Sequence, residues 1–190
     1  MHRIVAGRPA DPHLPGELRD AMFRLRHQVF HERLRWQVRS RNGRERDSFD
    51  DLDPVYVIGC HTESGTVTAS LRMLPTTGPY MLRDVFPQAL RGAPAPCDPQ
   101  TWEISRLCVT RPAHVRGSGY ELTQRLLAAA AEYAAGEAVH SFVAISQVTV
   151  ERMAAGAGVP SRRFGDGRSV LLGELACTAY SMPVSALSMR

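Results

Sequence analysis

Residues 101–109 read TWEISRLCV, and the five residues Trp102-Glu103-Ile104-Ser105-Arg106 decide how the chain is built. The run is rich in residues that suit a pleated surface, so it predicts the central strand of a sheet. Two charges interrupt it. Successive side chains of a regular strand point to opposite faces, which sets Glu103 and Arg106 on opposite sides. Two readings follow. Either one residue sits on each side, with Arg106 in a solvated ion pair, or the strand bulges near Ser105 and both charges reach one pocket. A central strand is a costly place for charge, because buried ionised groups need partners and are commonly functional.

Working upstream, MLRDVFPQAL (residues 81–90) is a short helical segment or turn interrupted by Pro87, and RGAPAPCDP (91–99) is a surface loop. TVTASLRML (66–74) alternates: Val67, Ala69, Leu71 and Met73 take one face, and Thr68, Ser70 and Arg72 the other. It follows VYVIGC (55–60), a buried strand, across the turn Glu63-Ser64-Gly65, so the two strands predict a hairpin. Residues 37–53 are polar, with four arginines followed by four aspartates and Gly43 among them, which reads as a mobile loop. Residues 16–35 read as a helix, because Leu18, Met22, Leu25 and Val29 recur at helical spacing. Arg26 and Phe30, four apart, share one of its faces.

Working downstream, HVRGSGY (114–120) is a Gly-rich loop leading into a helix over 121–136. Ser118 and Glu121 fit a capping box, and Gly136 fits the C-terminal stop. The loop offers free backbone N–H groups to a phosphate, although tight turns need glycine in any case. SFVAIS (141–146) is a further strand, residues 150–155 a short helix, and RSVLLGEL (168–175) the last strand. Helices and strands in this order predict a mixed α/β fold with helices on both faces of a sheet. With no internal repeat and no long linker, residues 1–190 read as a single domain.

The net charge is +4 and all 23 basic residues are arginine. That excess is small, and no Arg-rich tail or row of interleaved aromatics accompanies it, so nucleic acid is not the expected partner. No run approaches the ~20 apolar residues that span a bilayer, and the N-terminus lacks the apolar stretch of a signal peptide. A cytoplasmic protein without a membrane partner is expected. Cys60, Cys97, Cys108 and Cys177 show neither Cys-x-x-Cys pairing nor a His at metal spacing, so they read as plain thiols and no metal is expected.

Two constellations carry chemistry. The first is Arg26-(three residues)-Phe30-(five)-Trp36-(ten)-Asp47-Ser-Phe-Asp50; the second is Glu103-Ile-Ser-Arg106. Taken singly, Arg26 is a snorkelling arginine, Phe30 and Trp36 are core rings, Asp47 and Asp50 are loop solubilisers, and Arg72 is a solvated cation. Taken together they suit a cationic amino-acid nucleotide such as S-adenosylmethionine. Its carboxylate needs a guanidinium, its sulfonium and amine need carboxylates, and its adenine needs a flat surface.

These spacings, with Arg72 on the second strand and Phe86 after the short helical segment, resemble those of the acyl-homoserine-lactone synthases, the bacterial quorum-sensing autoinducer synthases. The likeness rests on Arg26, Phe30, Trp36, Asp47, Asp50, Arg72, Phe86, Glu103 and Arg106, and runs from about residue 20 to 110. It implies an α/β fold of α+β type, similar to the GCN5-related N-acetyltransferases: three layers, with a V-shaped mixed central sheet flanked by helices and a bulged central strand. It implies that S-adenosylmethionine, bound as substrate with no tightly held cofactor, is acylated from acyl carrier protein or acyl-CoA. The carboxylate then closes a lactone and expels 5′-methylthioadenosine. In this reading Glu103 is the base and Arg106 organises the site with Asp47, Asp50, Arg26 and Arg72. Phe30 and Trp36 hold the nucleotide, and Phe86 walls its pocket. Ser105, Leu107 and Ser146 line the acyl chain. HVRGSG also resembles the pyrophosphate loop of the acetyltransferases, with His114 in its first place, which keeps the coenzyme A donor open. An N-acetyltransferase acting on another amine is the nearest alternative, and a basic binding module a distant one.

Overall fold

The computed structural model of the chain describes residues 1–110, 118–156 and 158–187. Two compact units appear along it. Of the described residues, the first comprises 1–73, 106–110 and 118–133, and the second 74–105, 134–156 and 158–187.

In the first unit, β1 (His2–Gly7) pairs antiparallel with β4 (Val55–His61), and β4 pairs antiparallel with β5 (Val67–Pro75). The β4–β5 pair is the hairpin expected from the sequence; β1 is an additional strand that the reading of the N-terminus missed. β6 (Thr101–Val109) leaves this unit's sheet beside β5, where the Thr110 N–H donates to the Thr68 carbonyl at 2.7 Å. Leu14, Met22, Leu25, Val29, Phe30, Ile58 and Val67 form the core, with Cys60 and Cys108 filling it as small apolar residues. α1 (Gly16–Arg26) turns its Met22, Leu25 and Arg26 inward.

The helix expected over 16–35 changes character halfway. From His27 to Arg33 it is a π-helix, in which the Leu34 N–H reaches back five residues to the Val29 carbonyl at 2.9 Å. Such wide turns concentrate at functional sites. Residues 37–53 are also more ordered than the expected mobile loop. They contain a two-residue-per-strand hairpin, β2 (Ser40–Arg41) and β3 (Arg44–Glu45), and a 3-10 turn, Ser48–Asp51. Asn42 and Gly43, with φ of 52° and 70°, make the tight reversal between β2 and β3. Both central residues have positive φ, the conformation that an Asn-Gly pair tolerates best.

In the second unit, β6 pairs parallel with β7 (Ser141–Gln147) from Thr101↔Ser141 to Ile104↔Ala144. β7 pairs antiparallel with β10 (Leu175–Pro183), and β10 with both β8 (Arg162–Arg163) and β9 (Val170–Leu172). The segment expected as the last strand, 168–175, therefore holds β9 and the turn after it: Gly173 at φ 62° reverses the chain, and the long final strand β10 begins at Leu175. α2 (Met81–Asp84) and a 3-10 turn at Pro87–Leu90 share the segment that Pro87 divides, as expected. α4 (Val148–Gly156) is pinned to β10 and β8: Glu151 Oε2 accepts from Thr178 Oγ at 2.8 Å and from Arg163 Nη2 at 2.7 Å. α3 (Ser118–Gly136) matches the expected helix, although the left-handed residue beyond it is Ala138, not Gly136. Residues 114–117 of the Gly-rich loop, with His114, and the side chain of Ser118 lie outside the described residues, while Ser118–Tyr120, expected in that loop, open α3. The whole is a mixed α/β fold with a mixed sheet flanked by helices. No described helix is long and apolar enough to cross a membrane.

Candidate functional site

β6 breaks regular alternation at Arg106, whose φ is 54°. A left-handed residue in a strand costs energy for anything but glycine and re-aims its side chain. The Arg106 guanidinium is aimed into a cluster of charges within the first unit.

That cluster holds three guanidiniums and three carboxylates. Arg26 donates from Nε to Glu45 Oε2 at 2.6 Å, and from Nη1 and Nη2 to the two oxygens of Asp50 at 2.8 and 2.9 Å. Arg72 donates to both oxygens of Asp47, at 2.6 and 3.3 Å, and lies 2.9 Å from Asp50 Oδ1. Arg106 Nη2 sits 3.0 Å from Glu45 Oε1 and 2.7 Å from Asp47 Oδ2. Tyr56 adds its hydroxyl to Asp50 Oδ1 at 2.9 Å. Arg26, Glu45 and Arg72 are 0% exposed. Arg26 is thus no snorkelling cation, and Arg72 is not solvated.

Local sequence explains the placement. Asp47 begins the 3-10 turn Ser48–Asp51 and accepts from the Phe49 N–H at 3.0 Å, while Asp50 accepts from the Asp47 N–H at 2.9 Å. This reciprocal cap leaves both carboxylates turned to the arginines. Rings supply the apolar side: Phe30 and Trp36 stack at 5.1 Å with planes 18° apart, and the Arg106 guanidinium lies 5.6 Å over the Phe30 ring.

Electrostatics follow from burial and pairing. Burial alone would raise the Asp50 carboxyl, but the charge and hydrogen bonds of Arg26, with Arg72 and the Asp47 N–H, hold it well below the usual carboxylate range. Burial, and then the Asp50 charge, push the Tyr56 phenol up, so it remains a donor. Burial likewise opposes the charge on Arg26 and Arg72, yet the facing carboxylates keep both firmly protonated.

A pH dependence results. A depressed carboxyl stabilises the fold above its unfolded value of about 3.9 and loses that contribution as pH falls through the folded value. Thermal or urea unfolding from pH 7 to 2.5 should therefore show stability dropping below about pH 4. The slope should exceed that of Asp50→Asn by about 1.4 kcal/mol per pH unit, one proton's worth. Equal slopes in the two proteins would refute the assignment.

Seven of the sequence-derived residues meet here: Arg26, Phe30, Trp36, Asp47, Asp50, Arg72 and Arg106. Glu45 and Tyr56 also belong and were missed. Leu107 follows Arg106 in the first unit and is half-buried. The remaining candidates lie in the second unit. Glu103 is 0% exposed; its Oε2 and Oε1 accept from the Met81 and Leu82 N–H groups, at 3.0 and 2.6 Å, at the start of α2. Phe86 precedes the 3-10 turn and is half-buried, as is Ser105. Ser146 Oγ lies 3.2 Å from the Gln147 carbonyl and 3.1 Å from the Tyr180 hydroxyl.

Residues 15–190 match the family model of the autoinducer synthases. An acyl-homoserine-lactone synthase of Aliivibrio fischeri is 33% identical over 173 residues, covering 90% of this chain and 89% of that protein. Among solved structures, the acyl-homoserine-lactone synthase LasI superposes with a TM-score of 0.87 at 32% identity, covering 97% of this chain and 90% of its own. BjaI, a CoA-dependent acyl-homoserine lactone synthase solved with S-adenosylmethionine and isopentyl-CoA, gives 0.84 at 30% identity, with 97% and 84% covered. A putative N-acetyltransferase from Lactobacillus plantarum gives 0.62 at 18% identity, with 96% and 98% covered, a likeness of fold alone.

Proposed function

Since the chain belongs to the autoinducer synthase family, we propose that it makes an N-acyl-homoserine lactone from S-adenosylmethionine and an acyl thioester, releasing 5′-methylthioadenosine. The observation that carries this reading is the buried cluster of Arg26, Arg72 and Arg106 with Glu45, Asp47 and Asp50, flanked by the Phe30–Trp36 stack. Buried ion pairs are a poor way to stabilise a fold, since apolar residues of like volume commonly do as well. A charge-balanced cluster beside two flat rings is well suited to a substrate that is itself anion, cation and aromatic ring at once.

The reaction assigns roles. At neutral pH the substrate amine is protonated, so one proton must leave before attack, and Glu103 takes it, directly or through water. The Met81 and Leu82 N–H groups orient its carboxylate. The amine nitrogen then bonds to the thioester carbonyl, the C–S bond breaks, and the departing thiolate takes the second proton. Backbone N–H groups at the β6 irregularity serve the oxyanion. The carboxylate oxygen next attacks the carbon beside the sulfonium. Its C–S bond breaks and methylthioadenosine leaves neutral, so no further base is needed. Arg106, with Arg26, Arg72, Asp47 and Asp50, and with Glu45 now added, organises this charge. Phe30, Trp36 and Phe86 wall the nucleotide, and Ser105, Leu107 and Ser146 contact the acyl chain. Residues 1–190 act as one synthase domain, and the acyl donor is acyl carrier protein or acyl-CoA.

Mass spectrometry of the products tests this. The purified protein is given S-adenosylmethionine with straight, 3-oxo, branched and aromatic thioesters on both carriers. An N-acyl-homoserine lactone appearing with methylthioadenosine is the expected result, and it identifies acyl group and donor together. Acylation of another amine with S-adenosylmethionine untouched would instead make the chain an N-acetyltransferase.

A further inference from the structure

We propose that His27 is a positioning residue for this site: through Ser40 it holds the hairpin that presents Glu45 to Arg26 and Arg106. The inference rests on reading the cluster as the S-adenosylmethionine site. β2 and β3 form a two-stranded sheet of their own, with two residues in each strand. An isolated hairpin is marginal even when longer, so side-chain anchors must set its position.

Among the described residues of the two short strands, three side-chain contacts anchor the hairpin. Glu45 is itself the group to be placed. Arg44 donates from both Nε and Nη2 to the two carboxylate oxygens of Asp20 of α1, a bidentate pair that fixes the outer edge of the hairpin, although side chains 38% and 33% exposed leave it partly screened by water. The third anchor is the half-buried contact of His27 Nδ1 with Ser40 Oγ, at 2.6 Å. Ser40 Oγ also donates to the Arg44 carbonyl at 3.1 Å. A hydroxyl carries one proton, so the imidazole Nδ1–H is the donor to Ser40. The ring is held on its other sides too. Nε2 lies 3.1 Å from Glu32 Oε1, a contact that the ring satisfies only with both nitrogens protonated, and His31 stacks on the ring at 5.0 Å.

The geometry forms a double rung. Arg26 and His27 are consecutive, and Ser40 and Glu45 are cross-strand partners. Arg26–Glu45 and His27–Ser40 therefore link the same turn to the same hairpin pair. The first rung carries the site's charge, and the second fixes how far apart its ends can move. Glu45 meets Arg26 at 2.6 Å and Arg106 at 3.0 Å, so a slip of the hairpin by a fraction of an ångström loosens both contacts.

The test compares His27→Ala, His27→Asn, His27→Gln, Ser40→Ala and the double Ala variant. The readouts are amide hydrogen exchange over residues 40–46, S-adenosylmethionine affinity by calorimetry, and steady-state rates. His27→Ala and Ser40→Ala should speed exchange in the hairpin and weaken S-adenosylmethionine binding about tenfold, with kcat within roughly twofold, the split expected when what is lost is binding common to ground and transition states. The double variant should be no worse than either single one. His27→Asn, whose N–H can stand where Nδ1–H stands, should restore both readouts; His27→Gln, which reaches only the Nε2 position, should not. Additive effects, equal rescue by Gln, or faster exchange with unchanged affinity would overturn the proposal. Unchanged exchange in His27→Ala overturns the latch alone. A wild-type protein that binds no S-adenosylmethionine overturns the functional reading and, with it, the positioning role.

Discussion

Arg26→Met should destabilise the protein by about 3–5 kcal/mol, the usual cost of removing one partner from a buried ion pair. In a chain of this size that lowers Tm by roughly 6–20 °C. Methionine fills much of the volume, so the effect is not a cavity. The cost arises because two carboxylates lose a partner at once. Asp50 keeps Arg72 and Tyr56, and Glu45 keeps Arg106, but the cluster becomes two guanidiniums against three carboxylates, in a place where Glu45 is 0% exposed. Arg83→Ala is the control. Its pair with Asp84 is about one-third exposed on each side, and its loss should cost less than about 1 kcal/mol. Thermal melts of the three proteins decide the matter. Equal losses from Arg26→Met and Arg83→Ala would show that the buried cluster holds no more stability than a surface pair.

Much of the site was legible because its residues lie at fixed spacings around two recognisable elements, the amphipathic helix and the charged central strand. Strand parity left two readings of Glu103 and Arg106 open, one charge on each side or a bulge bringing both to one pocket, and Arg106 at φ 54° makes the strand irregular at that point. Arg26 and Arg72 were legible only as members of the set. Singly, each reads as a surface cation, and only tertiary pairing makes full burial tolerable. Glu45 was hidden by its neighbours, because an arginine-rich run reads as solvated. A signal was nevertheless present. Asn42-Gly43 is the strongest short hairpin dipeptide, and applying it would have paired Ser40 with Glu45 and turned the loop into a hairpin. The π-helix had no such mark, since the apolar positions that set the helical period, Leu18, Met22, Leu25 and Val29, end near its start and residues 31–34 are exposed. β10 escaped because Thr178, Ser181 and Pro183 dilute its apolar pattern, and Thr178 is buried by virtue of Glu151, a residue 27 positions away.

Glu103→Gln should reduce turnover by roughly 10²–10⁴-fold, the usual contribution of a positioned general base. S-adenosylmethionine affinity should stay within about threefold of wild type, because the cluster around Arg26 and Asp50 is untouched. The substitution has a second consequence that separates two roles. Both oxygens of Glu103 accept backbone N–H groups, from Met81 and Leu82. A glutamine offers one oxygen and one amide, so one of those N–H groups faces a donor and loses its partner. That costs about 1–3 kcal/mol of stability whatever the residue does in catalysis. If Glu103 merely holds the start of α2, the variant melts earlier, yet the fraction that remains folded turns over at the wild-type rate. If it is the base, turnover collapses even well below the lowered Tm, where all of the variant is folded. Single-turnover measurement of amide formation, at a temperature where circular dichroism shows both proteins native, distinguishes the two outcomes. An unchanged rate there would remove Glu103 from the chemistry and leave it the cap of a short helix.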